Sequence, residues 1–369
     1  MKLKLWVGLI QSCAAITLAI FAPVWGHLAD TYSRRAMLLR AMFGGAIIIS
    51  LITFARSPWQ LLVLRSIQGC LTGTIAAATV LTASISPAAQ VAFTLGLLQT
   101  GIAVGNSLGP LVGGVLSDFL GYRPAFFSTG LTLALAGLVV LKWVDDDAEP
   151  SLRRPAELKK DGTSPLVKKS KKPSLFPDMK PITASPPLVT LMLITFGVQA
   201  ANTVATPMLP LFLKDLALKA SEQSMYIGSS TGIVLGTGAA SAALAAVLVG
   251  KFSVRIGLWK TLVYCLSAAA VLTVPQAFVS NMYQLTALRA MSSFFIGGTL
   301  PVISAIIAVS AEKEHQGTIY GVNASVSATG NAVGPLIGSA AAMLNYHAVF
   351  LVTALILGLS AWETVRRRK

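Results

Sequence analysis

The sequence predicts an all-α membrane protein of two pseudo-symmetric helical bundles, with about eleven transmembrane helices divided five and six. Three observations predict it. Of 369 residues, 54% are hydrophobic and only 12% are charged, and the mean hydropathy is +0.71. A soluble domain carries about 25% charged residues. This chain has too few polar groups to cover a water-facing surface, so a soluble enzyme, a disordered protein and a collagen-like fibre are all disfavoured. Eleven stretches approach the roughly 20 apolar residues that cross a hydrocarbon core as a helix. Finally, the two halves of the chain repeat one another at a near-constant offset.

The stretches run approximately 5–27, 36–55, 59–82, 90–117, 124–143, 188–213, 224–249, 257–279, 284–309, 318–344 and 346–364, taken as spans 1 to 11. They are apolar on all faces, rich in glycine and joined by very short loops, as in a packed helical bundle. Strands of a membrane barrel would be shorter and would alternate apolar with polar. Span 1 follows Lys2 and Lys4 as a signal peptide would. Its apolar run continues past Cys13 to Trp25, however, and a charged turn and a second span follow at once. Cys13, Cys70 and Cys265 sit inside apolar runs without a CxxC pair, and His27, His315 and His347 are far apart. Neither a disulfide framework nor a metal site is expected.

Basic residues set the orientation. A net charge of +15 would suggest nucleic acid in a soluble protein. Here ten of the 29 Lys and Arg lie between Lys142 and Lys180, and four more close the chain from Arg366 to Lys369. Alternate loops carry 21 basic residues on one side and six on the other, with Arg65 and Arg289 inside spans. The richer side is cytoplasmic, which places the C-terminus and the central stretch inside and the N-terminus outside. No nucleic-acid partner is expected. Residues 145–186 hold DDD at 145–147, KKSKK at 168–172 and repeated prolines. They are too polar and proline-rich to pack and form a linker along the anionic inner leaflet. The linker divides a bundle of residues 1–144 from one of residues 187–369.

The duplication is explicit. LLVLRSIQG at 61–69 answers LTALRAMSS at 285–293, with Arg65 and Arg289 224 residues apart. Gly26, opening GHLADTYSRR, and Gly250, opening GKFSVRIGLWK, are also 224 apart. GNSLGPLVGG at 105–114 answers GNAVGPLIGS at 330–339 at an offset of 225. Parallel halves are a transporter architecture. The same offset places the counterpart of span 6, which begins near Leu188, ahead of residue 1. The expectation is a twelve-helix parent, with this chain starting at its second helix and its N-terminus therefore outside.

On these residues the chain resembles the major facilitator superfamily. GHLADTYSRR is similar to the signature between family helices 2 and 3, LVLRSIQGCLTG to that of helix 4, and GIAVGNSLGPLVGG to the helix 5 antiporter signature. The last is most like the drug:proton antiporters of the bacterial multidrug-efflux branch. The resemblance implies a conformational latch at Gly26, Asp30, Arg34 and Arg35, although Ser33 replaces the usual second glycine and Val254 stands at the Asp30 equivalent. It implies proton coupling at the Arg65 position. It also implies a cavity lined by family helices 1, 4, 7 and 10, here the missing helix and spans 3, 6 and 9.

The residues also have readings of their own. Asp30 lies at a helix boundary, where an anion caps a helix N-terminus or pairs with Arg34 or Arg35, or simply belongs to a charged turn. Arg65 and Arg289 each lie roughly 9 Å of helical rise from the outer end of their span. A charge inside a span costs a few kcal/mol or more and faces a partner or a wet cavity. Both snorkelling to the interface and a role in coupling or substrate binding fit. Gly105, Gly109, Pro110, Gly113 and Gly114, repeated as Gly330, Gly334, Pro335 and Gly338, lay a groove of small residues along spans 4 and 10. That pattern allows close helix contact, and the proline bends the helix. Candidate cavity residues are Gln68, Gln99, Gln199, Asn202, Tyr226 and Asn323, with Met208, Phe294 and Phe295 as apolar surface. Each polar one serves equally as glue between helices.

No GxxxxGK[ST] loop occurs, so ATP drive is not expected, and no nucleophile–base pair suggests an enzyme. No cofactor is expected. No Asp or Glu lies deep in any span, although such a carboxylate is the usual proton carrier. The expectation is a monomeric, proton-coupled exporter of small amphipathic compounds or drugs in the bacterial inner membrane, working by alternating access. Its partners would be a small-molecule substrate, protons and the lipid bilayer. An uptake symporter and a truncated, non-transporting protein are the alternatives.

Overall fold

The computed structural model describes residues 2–31, 34–85, 91–144, 185–219, 226–310 and 316–368. Among the described residues there are helices and no strands. In the first half they are α1 (Lys2–Thr31), α2 (Arg34–Ile52), α3 (Pro58–Leu71), α4 (Thr74–Ile85), α5 (Val91–Leu120) and α6 (Tyr122–Trp143). The second half holds α7 (Pro186–Val204), α8 (Leu209–Lys219), α9 (Ile227–Ile256), α10 (Leu258–Thr273), α11 (Met282–Ser310), α12 (Gln316–Leu344) and α13 (Tyr346–Arg368). Short 3₁₀ turns cover Thr206–Met208 and Pro275–Phe278. The linker of residues 145–186 lies almost wholly outside the described residues.

The breaks have local causes. Span 3 is two helices, not one. Gly73 takes φ +123°, which L side chains avoid, and the Thr72 hydroxyl donates to the Gln68 carbonyl at 2.7 Å, closing α3. Pro207 and Pro210 lack the N–H groups that would carry α7 straight into α8. Eight of the described helical segments are long and apolar enough to cross a membrane. The other expected spans are the divided α3–α4 pair and the helices α5 and α12.

The packing obeys the duplication. An offset of 224–225 residues equates α1 with α9, α2 with α10, α3 with α11, α5 with α12 and α6 with α13. In the first bundle α1 packs on α3, and α2 on α6. In the second, α9 packs on α11, and α10 on α13. Between bundles, α1 packs on α12 and α5 on α9, and each of these pairs is the other under exchange of the halves. That is the signature of a two-fold relation between the bundles.

The second bundle holds the larger cores. α7 sits at its centre against α12, α13 and α11, with Leu188, Leu191, Ile194 and Val198 buried. The described first bundle has only a small buried cluster of Leu38, Met42 and Leu81. Glycines report the difference. A Cβ on Gly330 or Gly334 of α12 would stand 2.8 Å from the Phe196 carbonyl oxygen or 2.6 Å from that of Ala200, both on α7. At the matching Gly105 and Gly109 of α5, nothing lies within 4 Å. We predict that Gly334→Leu lowers the thermal unfolding midpoint of the detergent-solubilised protein by several degrees, since overpacking costs about 1–3 kcal/mol. Gly109→Leu is expected to leave it nearly unchanged.

Candidate functional site: a central cavity and its outer closure

One end of the molecule carries Lys4, Asp118, Gly228 and Ala342. In the orientation expected from the basic residues, this is the outer end. Here α5 meets α9, and α1 meets α12, almost backbone to backbone. Gly228, Gly232 and Gly236 recur every four residues and share one face of α9. A Cβ on Gly232 would stand 2.8 Å from the Leu111 Cα and nearer still to the Pro110 carbonyl oxygen, and one on Gly236 would stand 2.6 Å from the Ser107 carbonyl oxygen. Across the two-fold, a Cβ on Gly8 would stand 2.8 Å from the Pro335 carbonyl oxygen. Gly8 and Gly232 are 224 residues apart, and Pro110 and Pro335 225, so the same closing contact occurs twice.

Each closure ends on a charge of the sign its helix end favours. Asp118 accepts the Gly228 N–H at 2.9 Å and the Ser229 N–H at 2.6 Å. It thereby satisfies donors that the N-terminus of α9 leaves unpaired. Opposite, Lys4 Nζ donates to the Ala342 carbonyl at 2.5 Å, near the C-terminus of α12, and lies 4.0 Å from the Tyr346 ring centre. Partial burial raises the pKa of Asp118, but the hydrogen bonds from the Ser229 hydroxyl and from the Ser229 and Gly228 N–H groups outweigh it, holding the carboxyl below the usual carboxylate value. A depressed pKa means the clamp is fully present at neutral pH and is lost only as pH falls through that lowered value. Away from this end, a Cβ on Gly101 of α5 or Gly250 of α9 would meet nothing within 4 Å.

Between the bundles lies a cavity of about 890 Å³. Its polar wall comes from Gln99 and Asn106 of α5, Gln199, Asn202 and Thr203 of α7, and Arg289, Ser293 and Ser304 of α11. α9 supplies a smooth wall of Gly238 and alanines. Among the described lining residues, Arg289 is the only ionisable side chain.

The structure thus gathers Gln99, Gln199, Asn202, Arg289 and Pro110 around one cavity and places the other candidates elsewhere. Arg65 donates to Gln68 at 3.2 Å within α3 and faces the Phe126 ring at 5.9 Å. Asn323 accepts from the Thr195 hydroxyl at 2.9 Å, joining α12 to α7. Met208 is buried in a core with Phe212 and Phe350. Phe294 and Phe295 stack edge to face on each other, and Tyr226 stacks on Phe119 beside the outer clamp. Gly114 packs on Gly228, while Gly338 packs on Val204 of α7. A Cβ on Gly113 would meet nothing within 4 Å. Of the latch, Gly26 falls within α1 and the Asp30 side chain lies outside the described residues; Arg35 donates to the Leu141 carbonyl at the end of α6, within its own bundle.

Asp118 was not among the sequence candidates, yet a signal existed. It follows Gly114 by one turn and so continues the glycine face of α5. Asn106, Thr203, Thr206, Ser293 and Ser304 were also missed, because serine, threonine and asparagine on a helix serve packing as often as a cavity.

Two like bundles about a two-fold, enclosing one cavity, define a multi-pass membrane protein of transporter architecture. The chain belongs to the Major Facilitator Superfamily, whose family model matches residues 5–282 and again 191–368. Among known proteins it is similar to the multidrug resistance protein MdtG of Proteus mirabilis, with 33% identity over 357 residues covering 96% of this chain and 84% of that relative. MdtG of Salmonella paratyphi A is 32% identical over 371 residues, covering 100% of this chain and 87% of the relative. Among solved structures, a bacterial homologue of the human lysosomal transporter Spinster, in an inward-facing and unoccupied conformation, matches with TM-score 0.74 at 15% identity, covering 98% of this chain and 88% of that one. The human organic anion transporter MFSD10 matches with TM-score 0.63 at 20% identity, over 97% of this chain and 83% of that one.

Proposed function

We propose that this chain is a secondary transporter that exports small amphipathic compounds by alternating access, driven by a proton gradient. The observation that carries the reading is the repeated closing contact, Gly232 on Pro110 and Gly8 on Pro335, above a cavity whose opposite end is not closed by it. Two bundles that meet through matched backbone contacts at one end are arranged to rock about the cavity. The names of the relatives support drugs as cargo, and the choice of the proton rests on the family resemblance. With 21 of 29 basic residues on one side, the reading places the protein in the inner membrane as a monomer, with the linker of residues 145–186 and the C-terminus in the cytoplasm. Arg34 and Arg35, with Gly26 and Asp30, form the inner latch of the opposite, outward-facing state. Arg65, packed away from the cavity wall, serves coupling by linking α3 to α6 rather than by touching cargo.

The test uses purified protein in liposomes loaded with a self-quenching amphipathic dye. An imposed pH gradient is expected to accelerate dye movement at least several-fold over protein-free vesicles, and collapse of the gradient by an ionophore to abolish the gain. Dye movement that ignores the gradient would overturn the coupling.

A further inference from the structure

The second bundle fills a place that the first leaves open. Phe212 of α8 is buried, with its ring centre 6.1 Å from that of Tyr346 and 5.1 Å from that of Phe350, both on α13. The run YHAVF at 346–350 answers YRPAF at 122–126 at an offset of 224, so Tyr122 and Phe126 of α6 duplicate that aromatic pair. Here the two residues line a cavity of about 300 Å³. Its floor is the glycine face of α5, where a Cβ on Gly113 would meet nothing within 4 Å, while the matching Gly338 packs on Val204. Its far wall belongs to the other bundle, from Pro210 of α8 and Ile227, Thr231 and Leu235 of α9. Among the described lining residues none carries a charge. The Ser117, Thr129 and Thr231 hydroxyls already donate to the carbonyls of Gly114, Ala125 and Ile227. Of its described lining, the cavity shares Pro110 and Leu235 with the central one and lies outward of it. A space of this size is at the small end of those that hold organic molecules, roughly 300–1,000 Å³. Rings gain from meeting one another edge to face or offset, beyond the area they bury, and the duplicate shows that this pair of rings accepts a third.

We propose that the cavity beside Tyr122 and Phe126 is a ligand site for a neutral aromatic molecule of one or two rings, which takes in the first bundle the place that the Phe212 ring holds in the second. Such a ligand touches α5 and α6 on one side and α8 and α9 on the other, so it binds best while the outer end is closed. By that differential affinity it favours the outer-closed state, as a brake on the cycle and not as cargo. The site stands apart from the exporter reading, because its tests need no gradient. The purified full chain in liposomes is irradiated with benzophenone, a neutral two-ring ketone that attaches to nearby C–H bonds, and the labelled peptides are located by mass spectrometry. Labelling within residues 110–129 and 227–235 is expected to saturate, and to fall at least about fivefold when excess unreactive naphthalene occupies the site. Labelling of lipid-facing surfaces should instead rise in proportion to the probe. Gly113→Phe, whose ring enters the cavity from its floor, is expected to abolish the saturable part, and Phe126→Leu, which keeps apolar bulk without a ring, to weaken it several-fold. Lack of saturable labelling at these segments in the wild-type protein overturns the proposal without recourse to a variant, as does saturable labelling undiminished in Gly113→Phe. Competition by hexadecane as strong as that by naphthalene assigns the space to lipid chains and overturns the aromatic class. Spin labels on Leu120 and Leu218, both exposed near this end, read the bias. In Asp118→Ala, whose closure is weakened, saturating naphthalene is expected to raise the short-distance population, and an unchanged distribution overturns the brake.

Discussion

Replacing Gly232 with leucine is expected to lower transport more than tenfold while leaving the protein folded and in the membrane. The added side chain would begin 2.8 Å from the Leu111 Cα and nearer still to a backbone carbonyl oxygen. Neither atom belongs to a flexible side chain that can swing aside, so α5 and α9 must separate. Forcing atoms into a well-packed contact costs about 1–3 kcal/mol, and an equilibrium between two states moves tenfold for each ~1.4 kcal/mol. The molecule would then populate the outer-closed state poorly and turn over slowly. The two-fold makes the prediction stricter: Gly8→Leu, on the other side of the axis, must do the same, because it meets the Pro335 carbonyl in the same way. Gly358→Leu on α13, where nothing lies within 4 Å, is the control expected to transport normally. Flux through reconstituted variants gives the comparison, and a normal rate in Gly232→Leu would show that close approach of α5 and α9 is not needed for the cycle.

The second large effect is expected at Asp118. Asp118→Ala removes both acceptors from the Gly228 and Ser229 N–H groups. Hydrogen bonds to a charged group are worth about 1.5–3 kcal/mol, and the position near the rim puts this one at the low end through solvent and salt screening. The outer-closed state should lose about tenfold in population. Spin labels at Tyr122 and Leu218, both exposed near this end, should report a longer distance between bundles in the variant than in the parent. Asp118→Asn retains one acceptor and should fall between. The parent itself should keep its short distance from neutral pH down into the mildly acid range and lose it only below the ordinary carboxylate value, because the same hydrogen bonds depress the pKa of Asp118. A distance that lengthens already near pH 6 would mean that some other group holds the end shut. The depressed pKa also separates Asp118 from proton carriage in this conformation, since it does not take up a proton at neutral pH.

The glycine signatures show how far sequence reaches. GNSLGPLVGG and GNAVGPLIGS are nearly the same string, and their likeness is enough to infer duplication and close helix contact. Yet Gly330, Gly334 and Gly338 are pressed against α7, while Gly105, Gly109 and Gly113 meet nothing within 4 Å. Identical letters have different surroundings because a helix covers one copy and no described helix covers the other. The arginines teach the same point: Arg65 and Arg289 occupy matching positions, and only the distant packing of α5, α7 and α9 turns one of them into the charged point of a cavity wall. The α9 glycines Gly228, Gly232 and Gly236, which no sequence signature marked, form half of the outer closure.

By itself the sequence determined the membrane class, the places of the apolar spans, the repeat and hence the two bundles, because hydropathy and repetition are properties of the chain read in one dimension. Tertiary structure alone decided that span 3 breaks at Gly73, that Asp118 caps a helix 110 residues away, and that Arg289 rather than Arg65 faces the cavity. The physical reason is that burial, clearance and hydrogen-bond partnership are relations between segments far apart in the chain, and nothing in a single segment encodes what will come to lie against it.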